Sequence, residues 1–275
     1  MLQTVRPGVE KKLGQALVPV NKPGSGGDIA WTELKGARPD GYTLGAINSP
    51  NILTNPKARQ TAYTINDLRP IANVMTDPGV ILVSAQSPIK SLEDLIKAAK
   101  TKPGALTVGV AGVPGDDWLG VQMLQQLAGI ELKIVPFEGD GPSMQAVMGG
   151  HTDLNFNNMN LVLPQIKAGK VRALAVLAEK RFPLLPDVPT ASELGYKVVM
   201  GSSRGFAGPK GLPQEIVDAL AAAIKEAMET EEFKQMIRET GFPADYKGPA
   251  EYEKYLNDSS AAVSQLMDKY YKKGN

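Results

Sequence analysis

Residues Leu106–Met148 read LTVGVAGVPGDDWLGVQMLQQLAGIELKIVPFEGDGPSMQAVM. One pattern occurs there twice. Leu106 to Val110 and Leu132 to Val135 are short apolar runs rich in β-branched residues, as strands require. A loop of small residues follows each run, Ala111 to Asp117 and Gly139 to Pro142. A helical stripe follows each loop, Trp118 to Ala128 and Ser143 to Met148. Strand, loop and helix in alternation predict an α/β fold with a parallel or mixed sheet.

The pattern extends both ways. Downstream, Asp153 to Asn157 reads as a strand, Val162 to Ala168 as a short helix and Ala173 to Leu177 as a strand. Ala191 to Leu194 reads as a helical turn and Lys197 to Met200 as a strand. Upstream, Ser91 and Asp94 form a capping-box variant before the stripe Leu92, Leu95, Ile96 and Ala99. Near the start, Thr4 to Leu13 reads as the back half of a helix stopped by Gly14, with Pro7 marking a kink or a late start. Ala16 to Val20 reads as a strand, Asn21 to Gly27 as a loop and Asp28 to Ala37 as a helix capped near Asp28. Tyr42 to Ile47 reads as a strand, and Ile71 to Val83 holds one or two more. After Gly205 to Pro209 the character changes. Pro213 to Thr230, Glu231 to Thr240 and Pro249 to Tyr271 predict three helices with no strand between them, and Lys269, Lys272 and Lys273 suit a helix C-terminus. The block Pro88 to Val199 looks complete, whereas its flanks do not. The simplest organisation inserts one lobe (85–200) into another (1–84 and 201–275), with crossings near Val80–Gln86 and Val199–Phe206.

Composition narrows the function. The chain has 275 residues, about two domains at ~150 residues each. Lys and Arg number 30 against 29 Asp and Glu, a net charge of +1. That balance argues against a nucleic-acid partner or an anionic membrane surface. There is no Cys and one His, which excludes cysteine-built zinc sites and a cysteine nucleophile. A Ser-His-Asp triad would need His151, which sits in the turn Gly149–Asp153 and reads as a surface residue. No metal site or cofactor motif is expected. No apolar run approaches the ~20 residues of a membrane span, and no signal-peptide pattern opens the text.

The loops carry the chemistry. Pro23-Gly24-Ser25-Gly26-Gly27 precedes a helix, where exposed backbone N–H groups favour an anion. It is neither a Walker loop nor a Rossmann fingerprint. Asp28 would oppose an anion there, and a plain tight turn is the alternative. Ala111–Asp117 and Glu138–Ser143 share the layout, and at the carboxyl ends of strands such loops face a crevice. Their carboxylates, Asp116, Asp117, Glu138 and Asp140, stand against an anion unless they face solvent or bind an amine or a water. The amides of Asn155–Asn158 and of Asn48–Asn51 suit a ligand or loop capping. Arg204 suits a bidentate carboxylate contact or a solvated hinge. Trp31 and Trp118 fall on helices and read as core or cleft wall.

In order, the blocks VPVNKPGSGG (18–27), ARPDGYTL (37–44), SLEDL (91–95), PFEGDGPS (136–143), GGHTD (149–153), QIKAGK (165–170), DVPTASELG (187–195) and RGFAGPKGLP (204–213) resemble one family. They are similar to the extracytoplasmic solute receptors of tripartite tricarboxylate transporters, the Bug family, over nearly the whole chain. The resemblance implies a type II periplasmic-binding-protein fold: two α/β lobes, two crossing segments and a ligand in the cleft. It implies binding of a small carboxylate (a di- or tricarboxylate, an acidic amino acid or an aromatic acid), delivery to membrane permease subunits, and no chemistry. It also implies a periplasmic or extracytoplasmic location and a monomer. In that family a secretion signal, a first strand and a glycine-rich loop carrying an Asp come before the helix in which Met1 falls here. The expectation is a first lobe destabilised, or repacked at one sheet edge.

The site residues expected from this reading are Ser25, Gly26 and Gly27 as anion-facing backbone, with Asn48 and Asn51 behind them. Gly112, Gly115, Gly141, Ser143 and Asn157 are expected from the second lobe, and Arg204 as the side-chain cation. Two other readings stand beside it. One is a ligand-loaded partner of a signalling receptor. The other is an enzyme acting on a carboxylic acid through an Asp/Glu or Lys acid–base pair.

Overall fold

Helix α1 (Leu2–Leu13) carries Val5 and Val9 one turn apart, and both are buried. Its Gly8 lies against Ala227, where a Cβ would come within 2.5 Å of the alanine Cβ. That close approach lets α1 lie on α8 (Gln214–Met228). The computed structural model describes residues 2–240 and 243–271; Lys272 and Lys273 lie outside them. The chain divides into two units, Met1–Thr76 with Ser203–Asn275, and Asp77–Ser202.

In the first unit a single 3-10 turn, Ser25–Gly27, leads into α2 (Asp28–Lys35). Then come β1 (Gly45–Ser49), α3 (Asn51–Ala58) and the first half of β2 (Leu68–Ser84). After the inserted unit the chain returns through β7 (Gly201–Pro209), α8, α9 (Glu231–Thr240), β8 (Ala244–Lys247) and α10 (Pro249–Tyr270). Strand β1 pairs antiparallel with β7, Gly45 opposite Ala207 through Ser49 opposite Ser203. β7 neighbours β2, and β8 pairs antiparallel with β2. Val5, Val9, Ile71, Val74, Phe206, Val217, Leu220 and Ile224 form the core under α1 and α8. Each such side chain contributes about 1.5–3 kcal/mol when fully buried.

The second unit holds α4 (Leu92–Thr101), β3 (Thr107–Val110), α5 (Asp116–Ala128), β4 (Lys133–Pro136), α6 (Asp140–Met148), β5 (Leu154–Asn158), α7 (Met159–Lys167) and β6 (Val171–Leu177). The far half of β2 pairs antiparallel with both β5 and β6. β3 runs parallel to β4 and to β5. The pleat sends Ile81 and Val83 toward the core of α4 and α5, and Val80 and Leu82 toward that of α6 and α7. Two buried faces explain the unbroken apolar run of this half-strand. Ser91 caps α4 as expected: its Oγ accepts the Asp94 N–H at 3.0 Å, and the Asp94 carboxylate accepts the Ser91 N–H at 3.1 Å.

Several sequence expectations need correction. Ala16–Val20 is not a strand: the Leu17 N–H donates to the Glu10 carboxylate at 2.7 Å, and Val18 and Val20 stay 81% and 68% exposed. A strand needs a neighbour, and among the described residues none pairs with this segment. The strand placed at Tyr42–Ile47 begins only at Gly45, because Asp40 takes the Tyr42 N–H in a turn. Lys197–Met200 is irregular, and the strand starts one residue later. The C-terminal region is not purely helical, since β8 separates α9 from α10. Helix α3 went unanticipated. Gly27, not Asp28, occupies the N-cap of α2, with no side-chain cap.

One position tests this packing directly. A Cβ on Gly205 would lie 2.3 Å from the Ala72 carbonyl oxygen and 2.8 Å from the Tyr252 ring. Neither neighbour is the tip of a flexible side chain. Gly205→Ala should therefore destabilise the chain by about 1–3 kcal/mol. Urea unfolding measures this, and an unchanged midpoint would contradict the packing described for β7.

Candidate functional site

In the first unit the glycine loop is built on left-handed backbone. Gly26 has φ 60° and Gly27 φ 106°, which side chains other than glycine rarely tolerate. The Gly27 N–H closes the turn onto the Gly24 carbonyl at 3.0 Å. A Cβ on Gly27 would strike the Trp31 indole at 2.8 Å. The part Gly27 plays is thus conformational, and its amide is already used inside the loop. Ser25 enters through its backbone alone, its side chain lying outside the described residues.

Asp28 follows directly and does not face the loop as an unpaired charge. Its carboxylate accepts Asn55 Nδ2 at 2.8 Å, Tyr63 OH at 2.6 Å and Arg59 Nε at 2.7 Å. Burial pushes the Asp28 pKa up, but the hydrogen bonds from Arg59, Tyr63 and Asn55 outweigh it, and the net shift is downward. Burial, then the hydrogen bond to Asp28 and that carboxylate's charge, raise the Tyr63 phenol. Asn55 Nδ2 also reaches the Gly26 carbonyl at 3.4 Å. Trp31 packs edge-on against Tyr63 and donates its indole N–H to the Ala46 carbonyl at 3.0 Å.

The expected residues of this unit are partly brought together. Asn51 and Asn55 are four apart on α3 and share a helix face, so Asn51 sits one turn from the side chain that holds the glycine loop. Asn48 lies directly opposite Arg204 in the β1–β7 register, which places both side chains on one face of the sheet. Both are half-buried.

In the second unit, the parallel strands β3, β4 and β5 end at one sheet edge. Ala111–Gly115, Phe137–Gly139 and Asn157–Asn158 therefore lie along that edge. Gly112 has φ 89° and open space where a side chain would be, and Gly141 is equally open. Gly115 and Gly139 are the N-caps of α5 and α6, so the positive ends of both helices lie there. Ser143 is buried, and its Oγ accepts Asn155 Nδ2. Asn157 is buried too: Nδ2 reaches the Asp140 carbonyl at 3.4 Å, and Oδ1 accepts the Asn158 N–H at 2.8 Å. Both side chains already serve the loop backbone or its neighbours.

The acidic rim also looks different in three dimensions. Asp117 turns inward and accepts the Ala111 N–H at 3.1 Å. Burial, reinforced by Asp116 and then by Asp140 and Asp77, raises its pKa. Asp116 accepts Asn158 Nδ2 at 2.8 Å, and Asp77 accepts the Asn160 N–H at 3.0 Å. Glu138 is exposed. Among the described residues no group of His, Cys, Asp and Glu could hold a metal ion.

Sequence reading missed Asn55, Arg59 and Tyr63. The four-residue spacing of Asn51 and Asn55 was a usable signal once α3 is recognised. Nothing local links Asp28 to a tyrosine 35 residues away.

These strand-end loops, carried by two α/β units with two chain crossings, define a two-lobed binding protein of the type II periplasmic class. Residues 1–271 match the family described as tripartite tricarboxylate transporter family receptor. The chain belongs to that family. A TctC solute-binding protein from Polaromonas superposes with a TM-score of 0.87 at 28% identity, covering 97% of this chain and 92% of that one. MatC from Rhodopseudomonas palustris, with bound malate, gives 0.79 at 27% identity, covering 96% and 92%. A second protein of that organism, with adipate, gives 0.80 at 25% identity, covering 97% and 90%.

The inward Asp117 predicts a pH dependence. Its folded pKa lies above the unfolded value, so the folded state favours the protonated form. The stability it contributes is complete below the ordinary Asp range, about pH 4, and is lost as pH rises through the folded pKa. Asp117→Asn keeps an acceptor for the Ala111 N–H and cannot ionise. The variant should gain in melting temperature over wild type as pH rises from 4 to 8. A gap that is constant, or that widens in acid, would contradict the assignment.

Proposed function

We propose that the chain is an extracytoplasmic receptor that captures a small carboxylate, of the di- or tricarboxylate class, and delivers it to the membrane permease subunits of a tripartite tricarboxylate transporter. It acts as a monomer and leaves the acid chemically unchanged. The observation that carries this reading is the glycine-lined character of these loops. Gly26, Asn48 and Asn51 in the first unit, and Gly112, Gly115 and Gly141 in the second, offer backbone and amide donors with little side-chain bulk. Ser143 and Asn157 support the second set through the bonds they make. Such donors hold an anion without a fully buried counter-charge. The inward turn of Asp117 and the compensated state of Asp28 remove two of the electrostatic objections. The malate and adipate carried by two of the similar structures support the choice of ligand class. Arg204, whose side chain makes no hydrogen bond or ion pair among the described residues, is the cation assigned to the β1–β7 face.

Calorimetric titration with malate, adipate, citrate and glutamate tests the reading. One acid class should bind at one site per chain and raise the melting temperature by mass action, and the acid should be recovered intact after hours. A chain that binds none of them, or that converts one, is not this receptor. Arg204→Ala should weaken the bound acid by about tenfold, the effect of ~1.4 kcal/mol. An unchanged dissociation constant removes Arg204 from the site.

A methyl group at Gly141 meets no atom within 4 Å beyond its chain neighbours and the backbone of its own helix. Gly141→Ala should therefore leave unfolding stability within about 0.5 kcal/mol of wild type or raise it, since alanine favours a helix. Acid binding should weaken all the same. Intact affinity with intact stability would exclude Gly141 from the ligand surface.

A further inference from the structure

We propose that the chain takes up a proton with each acid it captures, and that Asp117, beneath the loop from β3 to α5, is the group that holds it. The inference rests on the receptor reading above and concerns the loops of the second unit.

The first of those loops is closed from within. Asp117 lies in the first turn of α5, and its carboxylate accepts the Ala111 N–H at 3.1 Å. One side chain thus joins the end of β3 to the start of α5, with Gly112 and Gly115 between. A Cβ on Gly115 would lie 3.6 Å from the carbonyl oxygens of both Ala111 and Gly112, so the loop is folded closely on itself. A carboxylate held by the backbone of Gly112 and Gly115 meets residues that adjoin the Asp117 closure on both sides. The Phe137 N–H donates to the Val110 carbonyl at 2.9 Å. That bond sets the loop from β4 to α6 beside the first, and Asp140 comes with it.

The charges around Asp117 share one sign. Asp116 acts from its own helix, Asp140 from the start of α6 and Asp77 from β2. β5 and α7 contribute neutral groups. Asn158 donates its amide to Asp116 at 2.8 Å, and the Asn160 N–H donates to Asp77 at 3.0 Å. Those bonds favour the ionised forms of Asp116 and Asp77. Asp117 is only 5% exposed, and burial disfavours its charge more than one backbone donor restores it. It is therefore the member of the cluster on which a proton settles. An acid bound at Gly112 adds another negative charge beside the cluster, and a proton on Asp117 relieves the repulsion. His151, the chain's one histidine, precedes β5 and so lies at the opposite end of that strand from these loops.

Linkage fixes the sign. The bound anion raises the Asp117 pKa above its value in the free chain, so affinity is full below the free-chain pKa. It is lost as pH rises from that value to the bound-chain pKa. The affinity lost is about tenfold for each unit between the two.

The test is calorimetric titration of malate and adipate from pH 6 to 9, in two buffers of different ionisation enthalpy. The buffer dependence of the heat counts protons. Wild type should take up a fraction of a proton, up to one, per acid bound, and its affinity should fall about tenfold across the range. In Asp117→Asn the uptake should vanish and the affinity should become flat with pH. Asp116→Asn removes one neighbouring charge and keeps Asp117, so its affinity should fall at lower pH than in wild type. Urea unfolding identifies any variant that fails to fold, and Asp116→Asn carries the test if Asp117→Asn does. A wild type that binds an acid with no proton uptake, or whose uptake persists in folded Asp117→Asn, overturns the role of Asp117 alone. An unchanged pH profile in folded Asp116→Asn counts against it equally. A wild type that binds neither acid overturns the proposed function and this inference with it.

Discussion

Strand β2 is the constraint on which the architecture depends. It runs 17 residues, Leu68–Ser84, and is buried along almost its whole length. Its first half neighbours β7 and β8 in the first unit; its second half lies between β5 and β6 in the other. A strand so placed must be apolar on both faces, and Ile71–Met75 and Val80–Val83 answer that demand except at Asn73. Asn73 meets it differently, donating its amide to the Asp245 carbonyl at 2.7 Å. The division between the units falls inside this strand, between Thr76 and Asp77.

The electrostatics follow one logic at one residue of each unit: Asp28 and Asp117, beside the loops, are turned into the fold and given donors. Asp28 receives an arginine, a tyrosine and an asparagine; Asp117 receives a backbone N–H, and burial with its acidic neighbours raises its pKa. The alternative, an exposed carboxylate at a helix start facing an anionic ligand, would place like charges at short range, where they repel by several kcal/mol in a poorly screened site. The Lys254–Asp258 pair is solvent-exposed and contributes little.

Local signals were legible where a single segment carried the whole message. The Ser91–Asp94 box started α4 where its side-chain pattern said, and the two strand–loop–helix repeats of the inserted unit formed with boundaries displaced by a residue or a few. Ala16–Val20 and β8 were misread for a shared reason. A strand is a relation between two segments, and its own propensity does not name a partner. The apolar alternation of Val18 and Val20 is genuine, but the Leu17 amide is taken by Glu10. Ala244–Lys247 has little strand character and is one because β2 offers it an edge.

The amino-acid sequence by itself determined the α/β class, the family and the glycine turns, because these rest on periodicity, local turn chemistry and the order of motifs. It left open which way the charges near those loops turn. Asp28 and Tyr63, or Arg204 and Asn48, are far apart along the chain and meet only when helix α3 and the β1–β7 register are formed. The tertiary structure decided that Asp28 is a covered acceptor rather than an unpaired anion, that Ser143 bonds Asn155 and Asn157 serves the backbone, and that Arg59 stands beside Gly26. The physical reason is that a side chain's charge is set by what surrounds it. Those surroundings are assembled from segments that carry no local mark of one another.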